Sequence, residues 1–291
     1  MGSQWVQFVA SGLTAGAIYA LVALGFSIVY NASGAINFAQ GEFVMVGGMS
    51  AVSLLATGLP LPVAVLLAVA VAVIVGLLVE KLAIEPARHA GTVTLIIITI
   101  GVSLFLRGLA QLVWDKRVHA LPAFSGDQPI HLFGATLLPQ SLWVLVGAGL
   151  AVAALSWFFG RTLFGKAMLA TSYNPLAARL AGINTRTVLW VSFGLAALLG
   201  ALGGVLIAPI TFTSYDTGIM LGLKGFAAAM LGGLGSFSGA VLGGLLLGLA
   251  EGLGAGFISS AYKDAIAFVI ILAVLFFLPG GLRGARGTER V

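Results

Sequence analysis

A helix that crosses lipid hydrocarbon needs about 20 mostly apolar residues at 1.5 Å rise each. Nine stretches of this chain have roughly that length between charged or Pro/Gly-marked breaks: residues 5–30, 36–57, 61–83, 92–114, 140–160, 187–209, 218–235, 239–259 and 265–282. Of 291 residues, 14 are Lys or Arg and 9 are Asp or Glu, while 60% are hydrophobic. So few charges cannot build a water-facing surface, which in soluble domains is roughly a quarter charged. The chain therefore reads as an all-α, polytopic membrane protein of eight or nine helices, solvated by lipid. The second stretch is the most polar and the seventh the shortest, so either is a candidate for a broken or re-entrant segment. The first stretch is too long, and lacks the basic flank, for a cleaved signal peptide.

The positions of the basic residues set an orientation. Lys81 and Arg88 share one connection, Arg161, Lys166, Arg179 and Arg186 another, and Arg283, Arg286 and Arg290 the tail, which makes nine of the 14. The opposite loops hold Lys116, Arg117 and Lys263, and Arg107 and Lys224 fall inside spans. Nine spans with the N-terminus outside and the C-terminus in the cytoplasm satisfy this alternation. The net charge of +5 is then accounted for by topology, and no nucleic-acid partner is needed to explain it.

Glycine, at 41 residues, is about twice its usual share of roughly 7%. Gly244, Gly248, Gly252 and Gly256 recur at four-residue steps, beside Gly239 and Gly243, and Ala196, Gly200, Gly204 and Ala208 repeat the device. Such stripes let membrane helices approach closely. Packing does not account for Glu42, Arg107, Lys224 and Glu251, ionisable residues on four different spans, because a charge in hydrocarbon needs a partner or a wet cavity. They either pair to fix helix register or, with Asn37 and Gln40, line a polar translocation path.

The connection 161–186 contains a legible helix. Asn174 is a good N-cap, Pro175 suits the first helical position, and Gly182 suits the left-handed residue after the C-terminus. A helix from Pro175 to Ala181 places Leu176, Leu180 and Ile183 on one face and turns Arg179 elsewhere. Two turns are marginal alone, so this helix is expected to dock on the protein's own inner face or on a partner.

Within it, Ala177-Ala178-x-x-x-Gly182 resembles the loop by which ABC-transporter permeases engage their ATPases, although Leu176 stands where that loop carries Glu. Three longer segments add to the likeness: GAIYALVALGFSIVYNASGAINFAQGEFVMVGG, FGKAMLATSYNPLAARLAGIN and GLKGFAAAMLGGLGSFSGAVLGGLLLGLAE. In order and spacing they resemble the permease family of branched-chain amino acid ABC importers, in its shorter type, whose relatives include permeases for urea and short amides. The resemblance implies one transmembrane permease domain over 1–291, with 161–186 as its cytoplasmic coupling loop, in a bacterial inner membrane. It also implies a second permease subunit, two cytoplasmic ATPases and an extracytoplasmic substrate-binding protein. Asn174, Pro175, Ala177, Ala178, Arg179 and Gly182 would form the coupling helix.

Other chemistry finds little to build on. Gly160-x-x-x-x-Gly165-Lys166 continues with Ala167 where a phosphate loop needs Ser or Thr, so nucleotide hydrolysis is expected from another chain. His89, His119 and His131 are far apart in loops, without a metal-binding or general-base arrangement, there are no cysteines, and no nucleophile elbow is present. No catalytic residue, metal or cofactor is expected, which disfavours an intramembrane enzyme. A faint echo between residues 38–48 and 226–233 is the one feature favouring a self-sufficient repeat-type transporter.

Overall fold

The computed structural model describes residues 2–126, 128–132, 135–257, 259–278 and 280–283. Arg286 and Arg290, part of the basic tail, lie outside the described residues. Each of the nine apolar stretches forms a helix: α1 (Gly2–Ser33), α2 (Gln40–Ala56), α3 (Leu61–Val79), α4 (Thr92–Trp114), α5 (Pro139–Arg161), then α8 (Thr185–Thr211), α9 (Thr217–Gly232), α10 (Phe237–Phe257) and α11 (Lys263–Phe277), with α6 (Leu163–Tyr173) and α7 (Pro175–Leu180) between α5 and α8. Six of them, α1, α3, α4, α5, α8 and α10, are long and apolar enough to cross a membrane among the described residues. The others, α2, α9 and α11, are shorter, at 17, 16 and 15 residues.

Packing ranks these helices in a way that hydropathy does not. The apolar core of α1 is 89% buried within the protein and that of α8 78%, against 22% for α5. The glycine stripe of α10 lies on α1: a Cβ at Gly244 would strike the backbone of Ala20, one at Gly248 the backbone of Gly16, and one at Gly252 would come within 2.7 Å of the Gly12 Cα. The opposite stripe of α10 meets α9, where Gly239 and Gly243 face Gly232 and Ala228. The stripe of α8 receives α2, with Gly200 against Phe43 and Gly204 against the backbone of Val44. These seams bring backbones close enough for dispersion contact along whole helices.

Three local features depart from the sequence reading. α3 ends in a π-helical turn, Glu80–Ile84, closed by Glu85 N donating to the Glu80 carbonyl at 2.7 Å. The connection 161–186 holds a second helix, α6, started by Thr162, whose hydroxyl accepts from Gly165 N at 3.0 Å. The described residues are helical almost throughout, as expected of an all-α chain, with one small hairpin besides, β1 (Ile130–Leu132) against β2 (Ala135–Leu137). It occupies the loop between α4 and α5, where no hydrophobic run imposes helical periodicity.

Pro209 sits in the last turn of α8, and Phe212 follows at φ 61°. The chain then turns back, and Thr213 exchanges two backbone hydrogen bonds with His119 at 2.8 and 2.9 Å. Tyr215, before α9 begins, packs against the apolar cluster that includes Met45 and Met49 of α2. At the other end of the bundle, three basic segments converge. Glu80 to Arg88 and Arg179 to Arg186 line one cleft with Tyr30 and Asn31, Asn31 donates to the Gly235 carbonyl, and Arg283 N donates to the Gly232 carbonyl.

Candidate translocation residues and coupling helix

The start of α2 gathers the first group of expected site residues. Gly34, at φ 69°, turns the chain out of α1. Asn37 then folds its side chain onto the backbone, Oδ1 accepting from Ala39 N at 3.1 Å. Gln40, fully buried, donates to the Ala196 carbonyl of α8 at 2.9 Å. It fits there because Gly25 and Gly200 present no side chain to it. Its position is that of a bond between helices at a crowded crossing.

Glu42, 2% exposed, points instead toward α4. Ser103 Oγ donates to its Oε1 at 2.7 Å, and the Arg107 guanidinium stands 3.2 Å from the same oxygen and also donates to Ser103. Its other oxygen, Oε2, has no hydrogen-bond partner among the described residues. Gly218, at the start of α9, faces that oxygen, where even a Cβ would lie 3.1 Å away. Arg107 is half-buried, so the group reaches from the interior to the flank of α4.

Lys224 and Glu251 form a second, separate group, on α9 and α10. Lys224 Nζ donates to Glu251 Oε1 at 2.6 Å, and Tyr19 of α1 donates its hydroxyl to Oε2 at 2.6 Å. Two half-exposed residues of α11 complete it: Asp264 lies 2.6 Å from Lys224 and Lys263 3.4 Å from Glu251. Two cations and two carboxylates thus interleave around a phenol, and Glu251 is fully buried with both oxygens engaged. Burial without compensation would cost several kcal/mol per ion. Here the charges tie four helices together.

Sequence reasoning did not single out Tyr19, Ser103, Lys263 or Asp264. Ser103 lies one helical turn before Arg107, a spacing that places both on one face, so a signal for it existed. Nothing local marks Tyr19, whose role arises only where α1 meets α10.

α7 follows its sequence closely. Asn174 Oδ1 accepts from Leu176 N at 3.1 Å and Ala177 N at 3.0 Å, and Pro175 opens the helix. Gly182 adopts φ 84°, while Ile183 N donates to the Ala178 carbonyl at 2.9 Å, closing the turn. Ala178 is the residue buried beneath the helix, and Arg179 folds aside to donate to Thr185 Oγ1 at 3.1 Å. Leu176 and Leu180 are 67% and 83% exposed, and Tyr173 just before them is exposed too. Ile183, at the end of the same face, packs against the core, whereas Leu176 and Leu180 do not dock on this chain.

Gly160 to Lys166, the run resembling a phosphate loop, joins α5 to α6. A helix and not a strand leads into it, and Gly165 lies on the backbone of Phe158, leaving no cradle for phosphate. No group of three or more metal-binding side chains occurs among the described residues. The echoing stretches 38–48 and 226–233 occupy unlike positions: Phe38 precedes α2 whereas Phe226 lies within α9, and the two rings pack together at 5.6 Å.

Comparison with known proteins agrees with this architecture. The chain is similar over 96% of its length, and 97% of the other, to a chain of PsaBC from Streptococcus pneumoniae in complex with Fab, with a TM-score of 0.53 and 15% identity, a likeness of fold. It is 34% identical to the high-affinity branched-chain amino acid transport system permease protein LivH of Escherichia coli K12, with all of both chains covered. The protein BraD of Pseudomonas aeruginosa, described in the same words, is 35% identical over 99% of this chain and 98% of its own. Residues 8–275 match the family described as "Branched-chain amino acid transport system / permease component". By that match and by two relatives aligned along essentially their whole length, the chain belongs to the branched-chain amino acid transport system permease family.

Proposed function

We propose that this chain is a membrane-spanning permease subunit of an ABC importer for branched-chain amino acids. The observation that carries the reading is α7, a two-turn helix fixed by caps at both ends that leaves Leu176 and Leu180 uncovered. Exposed leucines on a rigid short helix at the end of a lipid-solvated bundle suit docking to a soluble partner. In this reading the whole chain is one permease domain, and 161–186 is the loop that engages two ATP-hydrolysing subunits. A second permease completes the membrane part, and a substrate-binding protein delivers the amino acid from outside. The convergence of the three basic segments at the α7 end supports a cytoplasmic location for that end and for the C-terminus. Nine crossings of the bacterial inner membrane, with α2 and α9 short and partly interior, fit this orientation.

The Glu42–Ser103–Arg107 group supports a path along α2 and α4. It offers both charges that a zwitterion carries, whereas a neutral urea or short amide needs neither, and this favours an amino acid over the amide class. Lys224 and Glu251 act in this reading as the electrostatic tie beside the path. Asn37 and Gln40 shape the start of α2.

The test is reconstitution of the chain with its partner subunits in proteoliposomes. ATP-dependent leucine uptake that needs both the ATPases and the binding protein is expected. Gly182→Leu should keep the fold yet uncouple ATP hydrolysis from uptake, because a side chain at φ 84° strains the turn that aims α7. Leucine transport by the pure chain without any ATPase would defeat the subunit reading.

A further inference from the structure

Behind α7, at the end of the bundle where the basic segments converge, lies a cleft of about 940 Å³. Its charges do not cancel internally. Glu80, in the π-helical turn, lines the cleft, is 1% exposed, and its Oε1 has no hydrogen-bond partner among the described residues. The neighbouring cations are committed elsewhere: Arg186 lies 3.1 Å and Lys81 4.0 Å from Glu85. Arg88 and Arg179 line the same cleft without an acidic partner among the described residues; Arg88 donates only to His89 and Arg179 only to Thr185. A buried carboxylate with an unused oxygen is costly.

We infer that this cleft binds a zwitterionic head, an ammonium on Glu80 and an acid group on the guanidinium of Arg88 or Arg179. Three ammonium protons would give Glu80 the donor it lacks, and a carboxylate or phosphate would engage a guanidinium through paired N–H bonds. Two sources carry this chemistry: a free α-amino acid, and the head of an ethanolamine phospholipid. Because Arg179 and Gly182 border the cleft, an occupant would brace α7 from behind while its leucines face the partner. The identification of the free ligand as the transported amino acid rests on the permease reading; the site itself does not.

The experiment uses the full-length chain in nanodiscs free of ethanolamine lipid, with labelled leucine in equilibrium dialysis. Leucine retention is expected, falling about tenfold or more in Glu80→Gln and in the double variant Arg88→Gln with Arg179→Gln, since each removes one charge-assisted anchor. Retention should persist in Asp216→Asn, an exposed carboxylate between α8 and α9 that belongs neither to this cleft nor to the α2–α4 group. 3-Methylbutylamine and 4-methylpentanoate, each carrying half of the head, should compete at least about tenfold more weakly than leucine. In mixed-lipid nanodiscs, native mass spectrometry reads the other source: selective retention of phosphatidylethanolamine over phosphatidylglycerol, lost in Glu80→Gln, assigns the site to lipid. If neither leucine nor ethanolamine lipid is retained, or if retention is indifferent to Glu80→Gln and to the double variant, the inference fails. A complex that imports leucine while showing no Glu80-dependent retention would overturn the site and leave the permease reading standing.

Discussion

Glu251 and Glu42 are both buried carboxylates facing cations, but their surroundings assign them different work. Glu251 has both oxygens engaged, Oε1 by Lys224 and Lys263 and Oε2 by Tyr19, whereas Glu42 keeps one oxygen without a partner. Removing one member of a satisfied buried pair leaves the other charge uncompensated, at a cost of about 3–5 kcal/mol. Glu251→Ala is therefore expected to lower stability in detergent by about that amount, and Glu251→Ala with Lys224→Met to recover a substantial part of it, as read by thermal unfolding. A double variant no better than the single one would show that the pair is not the unit. For Glu42 the expectation is reversed. Glu42→Gln keeps an acceptor for Ser103 and the shape of the side chain, so the protein should fold with near-native stability while leucine uptake by the reconstituted complex falls about tenfold, equivalent to roughly 1.4 kcal/mol. Full uptake in that variant would confine Glu42 to a structural role.

Among the elements, the α1–α10 seam shows how close packing depends on the absence of side chains. A methyl at Gly248 would meet the Cα and N of Gly16, whereas one at Gly101 on the outer face of α4 meets nothing within 4 Å. Gly248→Ala should cost about 1–3 kcal/mol through forced separation of two backbones. Gly101→Ala should be neutral, or stabilising by up to about 1 kcal/mol from helix propensity. Parallel melting curves of the two variants decide the matter, and equal behaviour would refute the seam. The stripe that makes this contact was legible because four-residue spacing is a property of one helix, and α7 was legible because its caps lie within nine residues of sequence. Which helices become central was not: α1 and α5 both read as apolar spans, and only tertiary packing buries one and leaves the other on the rim. Glu42 and Arg107 were each recognisable as buried charges, yet their pairing across 65 residues of chain had no local signal. α6 escaped notice because its Thr162 cap directly follows the end of α5, so the two helices share one continuous apolar-basic stretch.

For the whole molecule, the arrangement of charge at the two ends of the bundle makes sidedness measurable. Lys116, Arg117 and His119 lie at the end where Thr213 pairs with His119, and α7 lies at the other with Arg88, Arg179 and Arg186. Because the chain has no cysteine, single substitutions give labels without background. Val118 and Leu180 are 67% and 83% exposed at opposite ends, so Val118→Cys and Leu180→Cys disturb little packing. In spheroplasts, a membrane-impermeant maleimide is expected to modify Val118→Cys at once and Leu180→Cys only after permeabilisation, because basic segments remain on the cytoplasmic side. The reverse pattern would invert the orientation and move α7 away from any cytoplasmic ATPase. Leu180→Cys carries a second readout in permeabilised membranes: co-expressed ATPase subunits seated on α7 should protect it, and Val118→Cys should label equally with and without them. Labelling of Leu180→Cys unchanged by the ATPases, in membranes where they co-purify with the chain, would mean that they dock elsewhere and that the exposed leucines of α7 serve another contact.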